Sequence, residues 1–450
     1  MRASRLALSF ALLASPLAAQ TAAPAAPAAA VRAPKLAYRV RTLPNGMTVV
    51  SARDDSSPTV AIQVWYHVGS KDDPESRSGF AHLFEHIMFK STKHMKAETI
   101  DRLTEDVGGY NNAYTAEDVT VYFDVIPSNH LERLLWAEAE RLAALTVDEA
   151  SFKSERDVVK EEYRQRILAP PYGRFQYALT AHSFTKHPYR RPGIGLIEDL
   201  DAASLEDVRA FHSTYYRPDS AALVVVGDFD DKDLDRWVDD YFARIPKPAT
   251  PIPRVTVKEP PRAAETRFAE KGPSVPLPAV GMTYLVPTRA HPDAEALRML
   301  AAVLAEGRSS RLYRSLVYEQ RVAQRASAAA DLNEDAGLFR LTAIVAGGKT
   351  TDEASRALLA EIAKLKETPP AAAELERARI QLVTGLVRDR ETNNGKAGDL
   401  GEATVLLHDT ERVNTDVARF QAVTAADVQR VARTYLTDAN RMVVTYEQAQ

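Results

Sequence analysis

The sequence predicts an α+β protein made of two homologous α/β units, each a mostly antiparallel sheet flanked by helices, joined by a proline-rich linker. Three observations support this fold class. Strand-like and helix-like segments alternate, a stretch of seventeen residues with six prolines divides the chain, and the pattern before that stretch returns after it. The 450 residues also exceed what one hydrophobic core usually supports.

The N-terminus has the three parts of a secretory signal. Arginines precede an apolar run over 6–13, and small residues follow at Ala18 and Ala19. We assign 1–20 to a signal peptide and the Ala/Pro-rich segment 21–35 to a disordered leader. The sequence therefore predicts a protein that is exported to the periplasm or secreted.

Composition excludes several partners and chemistries. With 57 basic and 61 acidic residues the formal charge is -4, which gives no reason to expect nucleic acid as a partner. No stretch after the signal reaches the ~18 apolar residues of a membrane span, so no membrane partner is expected. Cysteine is absent, so any metal must be held by His, Asp or Glu.

The first unit is predicted over 36–245. A hairpin around a Pro-Asn-Gly turn is followed by a third strand, two helices, a strand and two more helices. The predicted elements are the hairpin 38–54, strand 59–70, helices 79–90 and about 97–107, a strand ending at Ile126, and helices from Ser128 and over roughly 148–167.

The linker is predicted over 246–262 and the second unit over 263–450. The ends of the two halves align at a constant spacing of 220 residues, which indicates a duplication. The aligned pairs include Asp207 with Asp427, Thr214 with Thr434 and Val224 with Val444. Where the first half has the segment HLFEH, the second has ALRMLAAVLAEG, which offers no metal ligands. One half therefore carries the reactive groups and the other keeps only the shape.

The segment HLFEH, residues 82–86, carries the chemistry. On a helix, His82 and His86 are four residues apart and project from the same face, so both imidazoles can reach one metal ion. Glu85 lies at the border of that face and can accept a proton from a water without being a ligand. This HxxEH order is typical of inverted zincins.

The third metal ligand is expected on the acidic helix over 154–166. Glu155 and Glu162 are seven residues apart and share a face, whereas Glu161 points about 100° away. We assign Glu162 as the ligand and Glu155 as a supporting acid. The alternative is that these acidic residues form an ordinary solvated helix face.

The two segments together, HLFEH and ERDVVKEE, resemble the pitrilysin, insulysin and mitochondrial processing peptidase family of zinc endopeptidases. The resemblance extends over nearly the whole chain after the leader. It implies a Zn²⁺ ion bound by His82, His86 and Glu162, with Glu85 as general base and Glu155 supporting the site.

The segment GGYNNAYT, residues 108–115, is similar to the edge strand on which substrates of this family add as an extra strand. The resemblance implies that Asn112 and Ala113 contact the peptide substrate. The alternative is an ordinary loop that leads into a strand.

The second half departs from the family pattern at one place. Relatives that act alone carry an arginine and a tyrosine seven residues apart after the SSRL segment, but the matching positions here are Val317 and Gln324. Nearby Tyr318, Arg321 or Arg325 could replace them, or a second homologous subunit could supply the pair. We favour the second explanation, which predicts the zinc-bearing subunit of a heterodimer.

The leading hypothesis is thus a zinc endopeptidase that hydrolyses peptides or unfolded polypeptide segments inside a closed chamber. The main alternative is a non-catalytic structural subunit with the same fold. A zinc-storage protein is a third possibility, but the His-rich tracts typical of such proteins are absent.

Overall fold

The computed structural model describes residues 33–449. The predicted signal peptide, 1–20, and all but the last three residues of the predicted leader, 21–35, lie outside the described residues. Among the helices of residues 33–449, none combines the length and apolar character that a membrane span requires.

The first sheet contains six strands. They are β1 (Arg39–Thr42), β2 (Thr48–Arg53), β3 (Thr59–Tyr66), β4 (Tyr110–Thr115), β5 (Thr120–Pro127) and β6 (Ala221–Gly227). Their order is β1-β2-β6-β3-β5-β4, and only β2 and β6 run parallel. Strand β4 lies at one end of this sheet, where it pairs with β5 alone among the described strands.

The predicted hairpin at 38–54 forms β1 and β2. The Gly46 N–H donates to the Leu43 carbonyl at 2.9 Å, and Gly46 has a φ of +91°. Glycine is favoured here for two reasons. The positive φ disfavours residues with a side chain, and a Cβ at this position would lie 2.8 Å from Asp219 Cβ. The Asn-Gly turn of the sequence therefore fixes the register of the two strands.

The second sheet has five strands, β7 (Thr266–Gly272), β8 (Ala279–Val286), β9 (Ala323–Leu332), β10 (Gly337–Val345) and β11 (Arg441–Gln448). Their order is β7-β11-β8-β10-β9, with β7 and β11 parallel and the other pairs antiparallel. This order repeats β2-β6-β3-β5-β4 of the first sheet. The prediction of two homologous, mostly antiparallel α/β units is confirmed.

Helices flank both sheets. The first half contains α1 (Phe80–Ile87), α2 (Thr99–Glu105), α3 (Leu131–Ala144), α4 (Glu149–Tyr163), α5 (Gly173–Ser183), α6 (Ile197–Asp201), α7 (Leu205–Tyr215) and α8 (Asp231–Tyr241). The second half contains α9 (Ala294–Ala305), α10 (Thr351–Glu367), α11 (Ala372–Asp389), α12 (Asn393–Val405), α13 (Arg412–Ala422) and α14 (Ala425–Tyr435).

Some predicted elements end earlier than the sequence pattern suggested, and one is only partly α-helical. The third strand ends at Tyr66, before a short 3-10 helix over Ser70–Asp72, and the helix expected over 79–90 ends at Ile87. The helix expected over 148–167 is α4 followed by one π-helical turn at Arg164–Leu168. Apolar spacing locates helices well but marks their ends poorly.

The two halves exchange one helix each. Helix α12 of the second half packs on β3 and β6, where Gly401 faces Trp65 so closely that a Cβ would lie 2.1 Å from the indole ring. Helix α5 of the first half packs on β8 and β11, and Gly281 leaves the space that Leu179 fills. Each sheet is thus covered on one face by a helix from the other half.

The segment 246–262, predicted as a linker, contains neither helix nor strand. It is nevertheless held in place at Glu259 and Arg262. The Glu259 carboxylate accepts three backbone N–H groups of residues 185–187 at 2.7 to 2.9 Å. The Arg262 guanidinium donates to the carbonyls of Ser183 and Thr283, one in each half.

Candidate metal centre

Helix α1 carries the HxxEH segment and separates two environments. Its apolar side chains are buried in the core of the first half; they are Phe80, Leu83, Phe84 and Ile87. The opposite side of the helix faces α4 and β4. His82, Glu85 and His86 lie on that side and line a cleft. The amphipathic spacing of the sequence therefore directs the polar side chains away from the core.

The start of α1 is held by a buried carboxylate. Asp73 accepts the backbone N–H of Gly79 at 2.7 Å and that of Ala81 at 2.8 Å. A carboxylate at this position satisfies free N–H groups of the first helical turn. Burial raises the pKa of Asp73 to about 7, and the two N–H donors oppose this shift. Gly79 itself has a φ of +93°, and a Cβ there would meet Gly195 at 2.7 Å.

The structure brings His82, His86 and Glu162 together. His82 Nε2 lies 3.6 Å and His86 Nε2 3.4 Å from Glu162 Oε2. Among residues 33–449 these three form the one group of His and acidic side chains with ligand atoms all within 4.8 Å of one another. Two imidazoles and a carboxylate are a ligand set that suits zinc and leaves a fourth position open.

The protonation state of His82 is the one that a metal ligand requires. Its imidazole is buried, and burial lowers its pKa to about 3, so it is neutral at pH 7. A neutral imidazole has the lone pair that a metal ion requires. Its Nδ1 is buried and has no hydrogen-bond partner within the described chain.

His86 is oriented by Glu155. His86 Nδ1 lies 3.4 Å from Glu155 Oε2, while Lys90 Nζ contacts Glu155 Oε1 at 2.9 Å. Burial opposes the charged forms of both groups, but their contact with each other and with neighbouring charges outweighs it. The pKa of His86 is raised by Glu155, Glu85 and Glu162, and that of Glu155 is lowered by His86 and Lys90. Glu155 thereby leaves His86 Nε2 directed at Glu162, as expected for a carboxylate behind a ligand imidazole.

Glu85 stands beside this group without belonging to it. The Thr115 hydroxyl, at the end of β4, donates to Glu85 Oε2 at 2.5 Å. Burial raises the pKa of the Glu85 carboxyl, while the Thr115 hydrogen bond opposes that rise. A raised pKa makes a carboxylate a stronger base, which suits it to accept a proton.

The cleft has a volume of about 510 Å³, and all its lining residues come from the first half. Asn112 and Ala113 line it, since edge strand β4 forms one wall. The Ala113 N–H donates to the Asn112 Oδ1 at 2.8 Å. None of the second-half residues considered in the sequence analysis borders the cleft; these are Val317, Tyr318, Arg321, Gln324 and Arg325.

Sequence reasoning missed three cleft residues whose side chains contact the assigned carboxylates; they are Lys90, Thr115 and Arg166. Arg166 Nη1 lies 2.8 Å from Glu162 Oε1. Arg166 follows Glu162, and Lys90 follows His86, by four positions. Because residues four apart on a helix are neighbours, this spacing could have revealed both. Thr115 had no such signal, because 30 residues separate it from Glu85. Glu161 points away, as predicted, and pairs with Arg164 at 3.2 Å.

Comparison with known proteins agrees with this geometry. The family model described as "Insulinase (Peptidase family M16)" matches residues 48–194, and the model described as "Peptidase M16 inactive domain" matches residues 202–382. The boundary between the two matches lies within the first half, after the segments that carry the metal-ligand candidates.

Individual relatives cover most of the chain. "Zinc protease PqqE" of Helicobacter pylori is 32% identical, over 90% of this chain and 91% of the relative. "Probable mitochondrial-processing peptidase subunit beta" of Arabidopsis thaliana is 26% identical, over 89% and 76% respectively. The crystal structure of a protease from Helicobacter pylori superposes with a TM-score of 0.88 at 30% identity and covers 92% of this chain and 100% of that one.

Proposed function

The chain belongs to peptidase family M16, and from this premise we propose that it is a zinc-dependent endopeptidase acting on peptides or unfolded polypeptide segments. The observation that carries the proposal is the convergence of His82, His86 and Glu162, with Glu85 beside them. A chain that keeps the fold for packing alone has no need of two imidazoles and two carboxylates around one cleft.

Zinc held by His82, His86 and Glu162 would acidify a water molecule and polarise the scissile carbonyl. The protein side chains supply the remaining steps. Glu85 takes the proton of the attacking water and delivers it to the leaving amide nitrogen. Because Thr115 donates to Oε2 of Glu85, Oε1 is the oxygen available for this proton transfer.

Edge strand β4 is the proposed docking site for the substrate backbone. A peptide in extended conformation can add to the free side of β4, beside Asn112 and Ala113, with its scissile bond near the metal centre. The substrate would compete with Asn112 for the Ala113 N–H. Backbone recognition of this kind favours flexible peptides over folded proteins.

A second homologous subunit is proposed to complete the substrate site. Val317 and Gln324 replace the arginine and tyrosine expected from the family resemblance, and no second-half residue in the described chain lines the cleft. A partner chain that carries the pair would also close a chamber over the cleft. The test is to purify the chain with and without its co-purifying partner; full turnover by the chain alone would refute the heterodimer.

We place the enzyme in the periplasm or the medium, on the basis of the signal-like segment 1–20. A fusion of this segment to a reporter that is active only after export measures the localisation. A reporter retained in the cytoplasm would contradict it.

The activity itself is tested with a fluorogenic peptide, using the chain together with its co-purified partner. We expect chelation to abolish cleavage and added zinc to restore it. Glu162→Gln should lower zinc affinity by about 10- to 100-fold or more, whereas Glu161→Gln, one residue away on the exposed side of α4, should change neither zinc affinity nor cleavage. Zinc binding without any cleavage by the assembled complex would favour the non-catalytic structural subunit.

A further inference from the structure

We propose that a buried ionic cluster between the two halves positions edge strand β4 and, through Thr115, the general base Glu85. The cluster consists of Lys71, Asp118, Tyr189, Glu334 and Asp335, and we call it the Lys71 cluster. Its effect on Glu85 rests on the proposed peptidase function; its effect on β4 does not.

Lys71 is the centre of the cluster. Its Nζ lies 2.9 Å from Asp118 Oδ1, 2.9 Å from Glu334 Oε2 and 3.0 Å from Asp335 Oδ2. The Lys71 side chain is 6% exposed and that of Asp118 is 3% exposed. Charges buried to this degree are stable only when they are paired and hydrogen-bonded, so the geometry of these contacts is well defined.

Asp118 connects the elements that meet here. Its Oδ1 accepts the Tyr189 hydroxyl at 2.5 Å, and its Oδ2 accepts the Glu334 N–H at 3.0 Å. The Tyr189 oxygen in turn accepts the Asp335 N–H at 3.2 Å. Both oxygens of Asp118 are therefore engaged, and the contacts come from two segments of the first half and from the β9–β10 turn of the second.

Backbone hydrogen bonds also hold the turn 116–118 of the first half, to which Asp118 belongs. The Ser70 N–H donates to the Ala116 carbonyl and the Lys71 N–H to the Glu117 carbonyl, both at 3.0 Å. The two chains approach closely because residue 69 is glycine; a Cβ there would lie 2.5 Å from the Ala116 oxygen. The turn 116–118 is thus fixed by backbone and side-chain contacts together.

This turn begins one residue after Thr115. Among the described strands β4 pairs with β5 alone, so the turn at its end adds to the few other attachments of β4, its contacts with α1 and α2. A shift of the turn would move Thr115, whose hydroxyl donates to Glu85 at 2.5 Å. The second half has no metal-ligand candidate, but it supplies Glu334 and Asp335 to this attachment.

The cluster carries more negative than positive charge, which guides the choice of variants. Three carboxylates surround one lysine, with His67 Nε2 2.8 Å from Glu334 Oε2 and His187 Nε2 3.4 Å from Asp335 Oδ2 as further contacts. Neutralising one carboxylate leaves Lys71 with two others. Asp118→Asn therefore keeps the size of the side chain, and Lys71 stays paired with Glu334 and Asp335. The new amide NH₂ cannot accept a hydrogen bond, so it would face a donor that the carboxylate oxygen had accepted from.

The matched control is Asp54→Asn. Asp54 pairs with Lys396 of α12, so it too belongs to a largely buried ion pair between the halves, but it does not touch the turn 116–118. A general loosening of the two halves would follow from either substitution. Positioning of β4 should be affected by Asp118→Asn alone.

We expect Asp118→Asn to accelerate backbone amide exchange across 110–118 and to lower kcat/KM by roughly 10- to 100-fold, the range for a misplaced catalytic group. Zinc affinity should not change, because the ligands lie on α1 and α4. Lys71→Met provides a second variant and should act in the same direction. Normal amide exchange across 110–118 in a folded Asp118→Asn protein would overturn the proposal.

A double-mutant cycle with Thr115→Val tests the route to Glu85. If the cluster acts through Thr115, Asp118→Asn lowers kcat in the parent chain but not further in the Thr115→Val background. Additive losses in kcat would overturn the link to Glu85. If the assembled parent complex cleaves no peptide, the proposed function fails, and amide exchange still decides whether the cluster anchors β4.

Discussion

Equivalent helix pairs have different roles in the two halves. In the first half, α1 packs on α4, and the polar side of α1 borders an open cleft. In the second, α9 packs on α11, and the buried residues of α9 are apolar apart from Glu295. Its one buried acid, Glu295, is neutralised by Arg412 and Arg419 at 2.7 and 2.9 Å. The fold thus accommodates either a polar cleft or an apolar helix interface at the same position.

In our proposal the second half acts on the site through packing and long-range attachment. Helices α5 and α12 are exchanged between the halves, and Glu334 and Asp335 reach the turn next to Thr115. Neither contact brings a ligand to the metal centre. The following substitutions separate the chemical contribution of the first half from the structural contribution of the second.

The largest loss of activity is expected from Glu85→Gln. The amide keeps the size of the side chain but cannot accept the proton, so kcat should fall by about 10²- to 10⁴-fold. Zinc affinity, measured by chelator competition, should stay close to that of the parent because Glu85 is not among the grouped ligands. A variant with unchanged kcat would remove Glu85 from the mechanism.

In the second half, Leu300→Ala should affect stability without affecting the metal. Leu300 is fully buried in α9, and loss of such a side chain costs about 2–5 kcal/mol in the free energy of unfolding. Urea unfolding measures this cost, and zinc affinity of the folded protein should be unchanged. Arg298→Ala on the same helix is the control, with an expected change within about 0.5 kcal/mol. A large loss of zinc affinity in Leu300→Ala would contradict the separation of roles.

Thr115→Val should have a smaller effect on activity than loss of Glu85. Valine keeps the shape and β propensity but removes the donor to Glu85 Oε2. A hydrogen bond to a charged group contributes about 1.5–3 kcal/mol, which corresponds to about 10- to 100-fold in kcat. Thr115→Ser restores the hydroxyl and should recover most of the activity. Equal impairment of the Val and Ser variants would argue against this hydrogen bond.

The smallest effect concerns pH and His212, whose counterpart 220 residues later is Ala432. Burial lowers the pKa of His212 from 6.5 to about 4, and its Nε2 is enclosed without a hydrogen-bond partner in the described chain. The unfolded chain therefore binds more protons between these values, so the stabilising contribution is present above pH 6.5 and is lost as pH falls toward 4.

His212→Phe should remove that loss and keep the stacking on Phe84. Relative to the parent, the variant should gain about 2 kcal/mol in the free energy of unfolding between pH 7.5 and pH 5. Denaturant titrations at the two pH values measure the difference. A gain that is identical at both would show that His212 does not titrate in this range.

Much of the fold was predictable from the chain alone. The Asn-Gly turn at residues 45 and 46 specified the first hairpin, and the repeat at 220 residues predicted two equivalent sheets. These signals are local or periodic, so they survive without knowledge of the tertiary structure. The exchange of α5 and α12 was not predictable, because a helix with one apolar face does not encode which sheet it will cover.

The same division applies to the candidate site. The sequence by itself determined that His82, Glu85 and His86 share a helix and that Glu155 and Glu162 share a face that excludes Glu161, because helical geometry fixes directions within a few turns. Only the tertiary structure decided that Thr115 reaches Glu85 and that Asp118, Lys71 and Glu334 meet between the halves. Such contacts join residues far apart in the chain, and they exist only because the packing of both sheets brings their ends together.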